Sequence, residues 1–174
     1  TYYMKYKKYP PGFQKQVVGA IKSLELSMGK QFGNSQNPLL LSVRSGARQS
    51  MPGMMETVLN IGLNNQTAIG LINKTKKPIF VYDSLRRLMM MYADVVMEKV
   101  QTKTIRIQLE HILRRIKTQH QCTNDSDLTI EALIELCDLF KKKILKTFNV
   151  EFPQNPEKQL WGAIDAVFQS WNGQ

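Results

Sequence analysis

Apolar and polar residues follow two different arrangements along this chain, and the change comes about a third of the way in. The first part has short apolar runs, which predict strands over 39–45 and 57–63 after an amphipathic helix over 13–29. In the second part apolar residues recur every three to four positions, which is typical of helices packed on a core. The pattern predicts an α+β fold that is predominantly helical, with a β-containing part at 1–65 and a helical part at 66–174.

Proline, glycine and polar residues divide the helical part into separate helices. A short helix is expected over 68–74, after a turn at Asn64-Asn65, and a longer helix is expected after Pro78. Apolar stripes predict two further helices around 105–116 and 133–144. The last helix should begin at Asn155-Pro156, because proline suits the first helical position.

The first twelve residues are aromatic and basic and end at the break Pro10-Pro11-Gly12. Because a diproline cannot lie inside a helix, we expect an extended lead-in here. Tyrosines mixed with lysines could stack on single-stranded nucleic acid. The interpretation we favour is that the rings pack on the domain.

The formal net charge of +10 has two interpretations. One is an anionic partner, whether nucleic acid, an acidic surface or phosphate groups, and the other is a domain whose outer helix faces are simply basic. No apolar run approaches the roughly 18 residues of a membrane-spanning helix. The chain opens on Thr1 without a signal-peptide pattern, so we expect the true N-terminus to lie upstream. Cys122 and Cys137 form no CxxC pattern, which favours reduced thiols in an intracellular protein.

Two small clusters of polar residues could suggest further sites. His111, His120 and Cys122 match no standard zinc spacing, so we interpret them as exposed or partly packed side chains. For the pair Arg86 and Arg87 a structural salt bridge is the main interpretation. Contact with a nucleotide or another domain is the alternative.

One segment, 42–55, combines residue types suited to nucleotide phosphates. Arg44 ends a strand and Arg48 follows four residues later, and guanidinium groups form forked, charge-assisted hydrogen bonds with phosphate oxygens. Ser45 and the glycine after it let backbone N–H groups approach an anion closely. Met55 and its neighbouring methionines offer an adaptable apolar surface for a flat base. The residues by themselves leave open an ordinary loop with two surface arginines.

A family resemblance enters at this segment. Residues 37–48 and 50–60, which read NPLLLSVRSGAR and SMPGMMETVLN, resemble the characteristic sequence of the pyruvate, phosphate dikinase family nearly letter for letter. Stretches within 82–96 and 152–172 resemble it too, and the likeness is weakest over 99–148. The related phosphoenolpyruvate synthases share the valine-arginine-serine core but lack the Met-Pro-Gly-Met-Met continuation, so the dikinase family is the closer match.

The resemblance implies part of an enzyme that converts ATP, phosphate and pyruvate to AMP, pyrophosphate and phosphoenolpyruvate through a phosphohistidine. The N-terminal domain of that family has an ATP-grasp architecture. Residues 1–65 would be a segment of its first lobe and 66–174 a helical insertion. Arginines at the matching positions contact the ATP phosphates, and a methionine lies near the adenine. The residues of this chain that would bind ATP are Arg44, Ser45, Arg48 and Met55.

Several parts of the family's machinery are missing from this sequence. The Gly-rich loop with its lysine should precede it, and the acidic magnesium ligands should follow residue 174. The carrier histidine and the pyruvate-binding barrel are absent as well. We therefore expect no catalytic or metal-binding residue here and an inactive fragment. Glu56 stands where aspartate is more usual, which keeps the charge.

The expected partners follow from the same resemblance. They are ATP, Mg²⁺ bound by ligands elsewhere, and the phosphohistidine domain of the same parent chain, in a homodimer. The cytoplasm is the expected compartment, with glycosome and plastid left open, and no nucleic acid or membrane partner is expected. The rival hypothesis is a basic helical module that binds nucleic acid or an acidic protein. A degenerate relative that keeps the fold as a scaffold is a third.

Overall fold

The computed structural model describes residues 2–45, 57–98 and 104–170, and these form an α+β fold that is predominantly helical, as the sequence predicts. The elements in chain order are α1 (Tyr2–Tyr6), α2 (Phe13–Met28), β1 (Gln31–Phe32), β2 (Pro38–Leu39), β3 (Leu41–Val43), β4 (Val58–Ile61), α3 (Asn65–Thr75), α4 (Pro78–Tyr92), a π-helical turn (Ala93–Met97), α5 (Thr104–Gln119), a 3-10 turn (Asp125–Asp127), α6 (Ile130–Phe148) and α7 (Pro156–Ser170).

The strands form two separate two-stranded sheets. Strands β1 and β2 pair in parallel, with Phe32 opposite Leu39. Strands β3 and β4 pair antiparallel, with Leu41 opposite Ile61 and Val43 opposite Val58, and the register shifts between the two pairs. The expectation of one strand over 39–45 is therefore wrong, because two different partners take the two halves of that apolar run.

One buried core joins β4 to the helices. Val58 and Ile61 of β4 are fully buried in the same cluster as Leu88 of α4 and Phe140 of α6. Helix α4 packs against both β4 and α6, so it lies centrally in the fold. None of the described helices is long and apolar enough to cross a membrane.

The expectation of an extended lead-in is wrong, because Tyr2–Tyr6 forms the short helix α1. The diproline forbids a helix only at its own position, and the turn before it is free to form. Two of the four rings nevertheless pack on the domain, while Tyr2 and Tyr6 are exposed and lie against each other. The ring of Tyr3 lies 4.8 Å from that of Phe168, and Tyr9 lies 5.8 Å from Trp161, both on α7. The Tyr9 hydroxyl also donates a hydrogen bond to Asp165.

Helix α3 starts three residues before the expected 68–74, because Asn64 acts as its N-cap. The Asn64 side chain accepts from the Thr67 N–H at 2.8 Å, and the Thr67 hydroxyl accepts from the Asn64 N–H at 2.8 Å. This reciprocal capping box satisfies backbone donors that would otherwise be unpaired. The predicted Asn64-Asn65 turn is thus the start of a helix.

The remaining helices agree with the expectations from the sequence. Helix α2 ends at Met28, with Gly29 as its left-handed C-cap. Helix α4 begins at Pro78, and α7 begins at Pro156. Met89 of α4 is fully buried. The division of the chain at residue 65 stays a prediction.

Candidate functional site

The sequence-predicted phosphate ligands begin directly after strand β3. Arg44 is the first residue beyond the strand and is exposed, and Ser45 is half-buried. Among the residues that the structure describes, Arg44 makes no ion pair. A guanidinium that is exposed and has no carboxylate partner keeps its N–H donors available to an anion.

Two of the four predicted ATP ligands fall outside the described residues. Arg48 and Met55 belong to 46–56, which joins β3 to β4. Their placement relative to Arg44 stays a prediction.

Strand β3 gives Arg44 a firm base. The strand pairs with β4, and Val58 and Ile61 of β4 have no exposed surface. Both strands also pack on α7. The backbone that carries Arg44 is therefore fixed to the core on one side, while the side chain reaches solvent.

A buried amide on α7 holds the end of β4 in position. Gln159 is fully buried, and its side-chain oxygen accepts from the Gly62 N–H at 2.8 Å. Its side-chain nitrogen donates to the carbonyls of Leu63 at 3.0 Å and Pro153 at 2.8 Å. All of its polar atoms thus have partners, which a buried polar group requires.

The start of α3 is tied to the segment that precedes α7. The Asn64 side-chain nitrogen donates to the Gln154 carbonyl at 2.7 Å, and the Gln154 side chain accepts from the Asn65 N–H at 3.1 Å. These bonds and those of Gln159 converge on the same stretch of chain. Together they fix how β4 leaves the sheet.

Arg86 and Arg87 form the structural salt bridges that the sequence predicts. Arg86 is 3% exposed and lies 2.7 Å from carboxylate oxygens of both Asp83 and Asp125. Arg87 pairs with Asp83 at 2.8 Å, and Lys117 pairs with Asp125 at 3.0 Å. The network joins α4 and α5 to the 3-10 turn between α5 and α6.

The charges of this network shift the pKa of Asp125. Burial raises the pKa of its carboxyl, but hydrogen bonds and charges from Lys117 and Arg86 outweigh burial, so the pKa lies below its ordinary value. The carboxylate is therefore the form that the fold stabilises.

The histidines and cysteines do not form a metal centre in the described part of the chain, where no group of three metal-ligating side chains comes together. His111 is exposed on α5, and His120 lies 3.3 Å from a carboxylate oxygen of Glu135. Cys137 is buried, and burial raises the pKa of its thiol to about 12. His111, His120 and the half-buried Cys122 agree with the prediction of exposed or partly packed side chains.

Two surface cavities lie away from Arg44. One, of about 570 Å³, is lined by Lys77, Phe80 and Arg87 among other residues. The other, of about 440 Å³, lies between α5 and α6 and has a basic lining. Neither lining includes Arg44.

Sequence reasoning missed the residues that hold the site's backbone in place. Gln159 sits one position before Leu160 in the apolar stripe of α7, and a polar residue there is the signal that could have found it. Gly70 was missed too. A Cβ atom at this position would lie 1.5 Å from the Ser35 carbonyl oxygen, so α3 approaches the loop before β2 more closely than any side chain allows.

The chain matches one family model over residues 8–174. That model describes the AMP/ATP-binding domain of pyruvate phosphate dikinase. A match over nearly the whole chain identifies a family rather than a shared motif.

Curated relatives give the same result. The chain is 46% identical to pyruvate, phosphate dikinase of Clostridium symbiosum over 172 residues, which is 98% of this chain and 19% of that enzyme. It is 44% identical to the enzyme of Giardia intestinalis over 169 residues, 97% of this chain and 19% of the relative. It is 43% identical to the chloroplastic pyruvate, phosphate dikinase 1 of Arabidopsis thaliana over 166 residues, which is 95% of this chain and 17% of the relative. The chain thus spans less than a fifth of the length of these relatives.

Proposed function

Because this chain belongs to the pyruvate phosphate dikinase AMP/ATP-binding domain family, we propose that it is part of the nucleotide-binding region of a pyruvate, phosphate dikinase. The parent enzyme would convert ATP, phosphate and pyruvate to AMP, pyrophosphate and phosphoenolpyruvate through a phosphohistidine. Within it, this chain would bind ATP and orient its phosphates for transfer. The residues proposed to bind ATP are Arg44, Ser45, Arg48 and Met55.

The observation that supports this proposal most is the state of Arg44. It follows a strand anchored to the core, it is exposed, and it forms no ion pair with the described residues. A guanidinium carried by a rigid backbone can stabilise the charge that develops on a phosphoryl group during transfer, because it is already in position when the transfer occurs. Arg48, four residues later, would add a second guanidinium to the same triphosphate.

The remaining parts of the reaction are proposed to lie outside this chain. Magnesium would accompany ATP, and its ligands would be acidic residues elsewhere in the parent enzyme. A phosphohistidine domain of the same parent would receive the phosphoryl group and carry it to pyruvate.

The domain organisation and setting are proposals of the same kind. Residues 1–65 would belong to the first lobe of an ATP-grasp domain, and 66–174 would form a helical insertion in it. The parent would be an intracellular homodimer, with the cytoplasm as its compartment.

Substitution of Arg44 in the full-length protein tests the site. Arg44→Ala should lower ATP-dependent phosphorylation of the histidine about a hundredfold or more, since removing one such donor costs that much elsewhere. The half-reaction with phosphoenolpyruvate should be unchanged. Transfer of a labelled phosphoryl group from each donor measures the two separately.

Arg114→Ala is the matched control, because Arg114 is a 73% exposed arginine on α5 whose one ion pair among the described residues is a long one, 3.9 Å to Glu110. It should leave both half-reactions unchanged. If the ATP half-reaction survives Arg44→Ala, the role given to Arg44 is wrong. The isolated chain should bind ATP weakly at best, and calorimetry that finds tight, magnesium-dependent binding would contradict the proposed distribution of ligands.

A further inference from the structure

A groove of about 440 Å³ between α5 and α6 has a lining with four formal positive charges and no carboxylate among the described residues. Arg115 lines it from α5, while Lys142, Lys143 and Lys146 line it from α6. Side chains three or four residues apart project from the same face of a helix. The basic groups therefore stand along both walls of one groove.

The nearby carboxylates pair with other cations and not with these four. Glu110 of α5 pairs with Arg106 at 3.3 Å, and Asp138 of α6 pairs with Lys141 at 3.2 Å. Within the described ranges, none of the four groove cations forms an ion pair. Four like charges facing one groove repel one another, and an anionic occupant would relieve that repulsion.

The floor of the groove is apolar. Ile112 and Leu139 lie in the lining, are half-buried and pack against the core of the domain. Among the described residues of the lining there is no Phe, Tyr or Trp, and the one ring is the imidazole of His111, so a run of successive bases would find little stacking surface there. The combination of basic walls and an aliphatic floor suits a polypeptide better than a nucleic acid.

We propose that the groove between α5 and α6 docks an acidic segment of a partner polypeptide, in which an aliphatic side chain is flanked by carboxylates. The aliphatic side chain packs on Ile112 and Leu139. The carboxylates pair with Arg115 on one wall and with Lys142 and Lys146 on the other. Charge complementarity of this kind speeds encounter and selects the partner. The surface shares no residue with the proposed ATP ligands, so it stands independently of them.

Binding of a labelled peptide to the 174-residue chain tests the proposal by fluorescence anisotropy. The probe is a short peptide with a leucine between glutamates. The double variant Lys142→Glu/Lys146→Glu should weaken its binding about tenfold or more, since two attractions become repulsions. Arg115→Gln, on the opposite helix, should weaken it independently. Replacing the leucine of the peptide with glutamine should weaken it as well.

The matched control is Lys15→Glu/Lys22→Glu, which makes the same change in net charge at exposed positions on α2. It should change the peptide affinity by less than about twofold. If the two double variants weakened peptide binding equally, only the net charge of the chain would matter, and the proposed docking in the groove would be wrong. Absence of peptide binding would overturn it, as would tighter binding of single-stranded RNA or of anionic lipid vesicles at the same ionic strength. Thermal unfolding followed by circular dichroism shows that each variant is folded.

Discussion

The side-chain oxygen of Gln159 accepts a hydrogen bond from the Gly62 N–H at 2.8 Å, across 97 positions of sequence. Gly62 has φ of 100°, and a Cβ atom there would lie 2.9 Å from the Phe32 ring and 3.1 Å from the Leu39 carbonyl. The chain therefore leaves β4 through a turn that favours glycine. The side-chain amide of Gln159 on α7 forms a hydrogen bond with the backbone of that turn. This hydrogen bond is one of the contacts that join the sheet before Arg44 to the last helix.

Gln159→Leu should lower the free energy of unfolding by about 2–4 kcal/mol, because it leaves the buried Gly62 N–H and Leu63 carbonyl, and the half-buried Pro153 carbonyl, without partners. Urea unfolding followed by circular dichroism measures the change. Gln169→Leu is the control, since Gln169 is an exposed glutamine on the same helix. Equal stability of the two variants would show that the buried amide adds nothing.

The close approach of Gly70 to Ser35 gives a second stability prediction. Gly70→Ala should lower the free energy of unfolding by about 1–3 kcal/mol, because a methyl group cannot fit against the backbone carbonyl 1.5 Å away without a shift. Gly19→Ala, in the open middle of α2, should instead raise it by up to about 1 kcal/mol through helix propensity. Thermal unfolding of both variants provides the comparison. The same sign of change in both would contradict the packing described for Gly70.

The sequence predicted those elements that local chemistry specifies. Helix α2 has an apolar stripe that ends at a left-handed glycine, and α4 and α7 each begin at a proline. The apolar run over 39–45 was predicted as one strand because its length and composition suit a strand. Its division depends on Phe32 and Ile61, which pair with its two halves from elsewhere in the chain.

In the candidate site, too, some features are determined by neighbouring residues in the sequence and others by distant ones. The exposed position of Arg44 at a strand end could be predicted from residue types alone. The partners of Gln159 could not, since a glutamine in an apolar stripe does not say which distant backbone groups it will meet. The π-helical turn at Ala93–Met97 was missed as well, because its sequence reads as an ordinary continuation of α4.

The carboxylate of Asp125 should make stability depend on pH. Its pKa is lower in the folded chain than in the unfolded chain, so its stabilising effect is complete above the unfolded pKa and is lost as pH falls through the folded pKa. Asp125→Asn should cost about 1–2 kcal/mol near neutral pH, at the low end for charged hydrogen bonds because 35% of the side chain is exposed. The gap between wild type and variant should narrow below about pH 4.

Urea unfolding of both proteins across that pH range measures the gap. Asp138→Asn is the control, since Asp138 is 58% exposed and pairs only with Lys141 among the described residues. It should change stability by less than about 0.5 kcal/mol at every pH. A gap for Asp125→Asn that stays constant down to about pH 2 would mean that its charge is not what stabilises the fold.

The two cysteines should differ in their reaction with a thiol reagent. Cys137 is buried, its Sγ contacts the Tyr82 carbonyl oxygen at 3.7 Å, and its pKa is about 12, so almost no thiolate forms near neutral pH. Cys122 is half-buried in the loop after α5. A disulfide reagent should therefore modify one thiol quickly in the folded chain and both after denaturation. Cys122→Ser should abolish the fast reaction and leave the slow one. Fast reaction of both thiols in the folded chain would mean that α6 opens far more readily than its buried face implies.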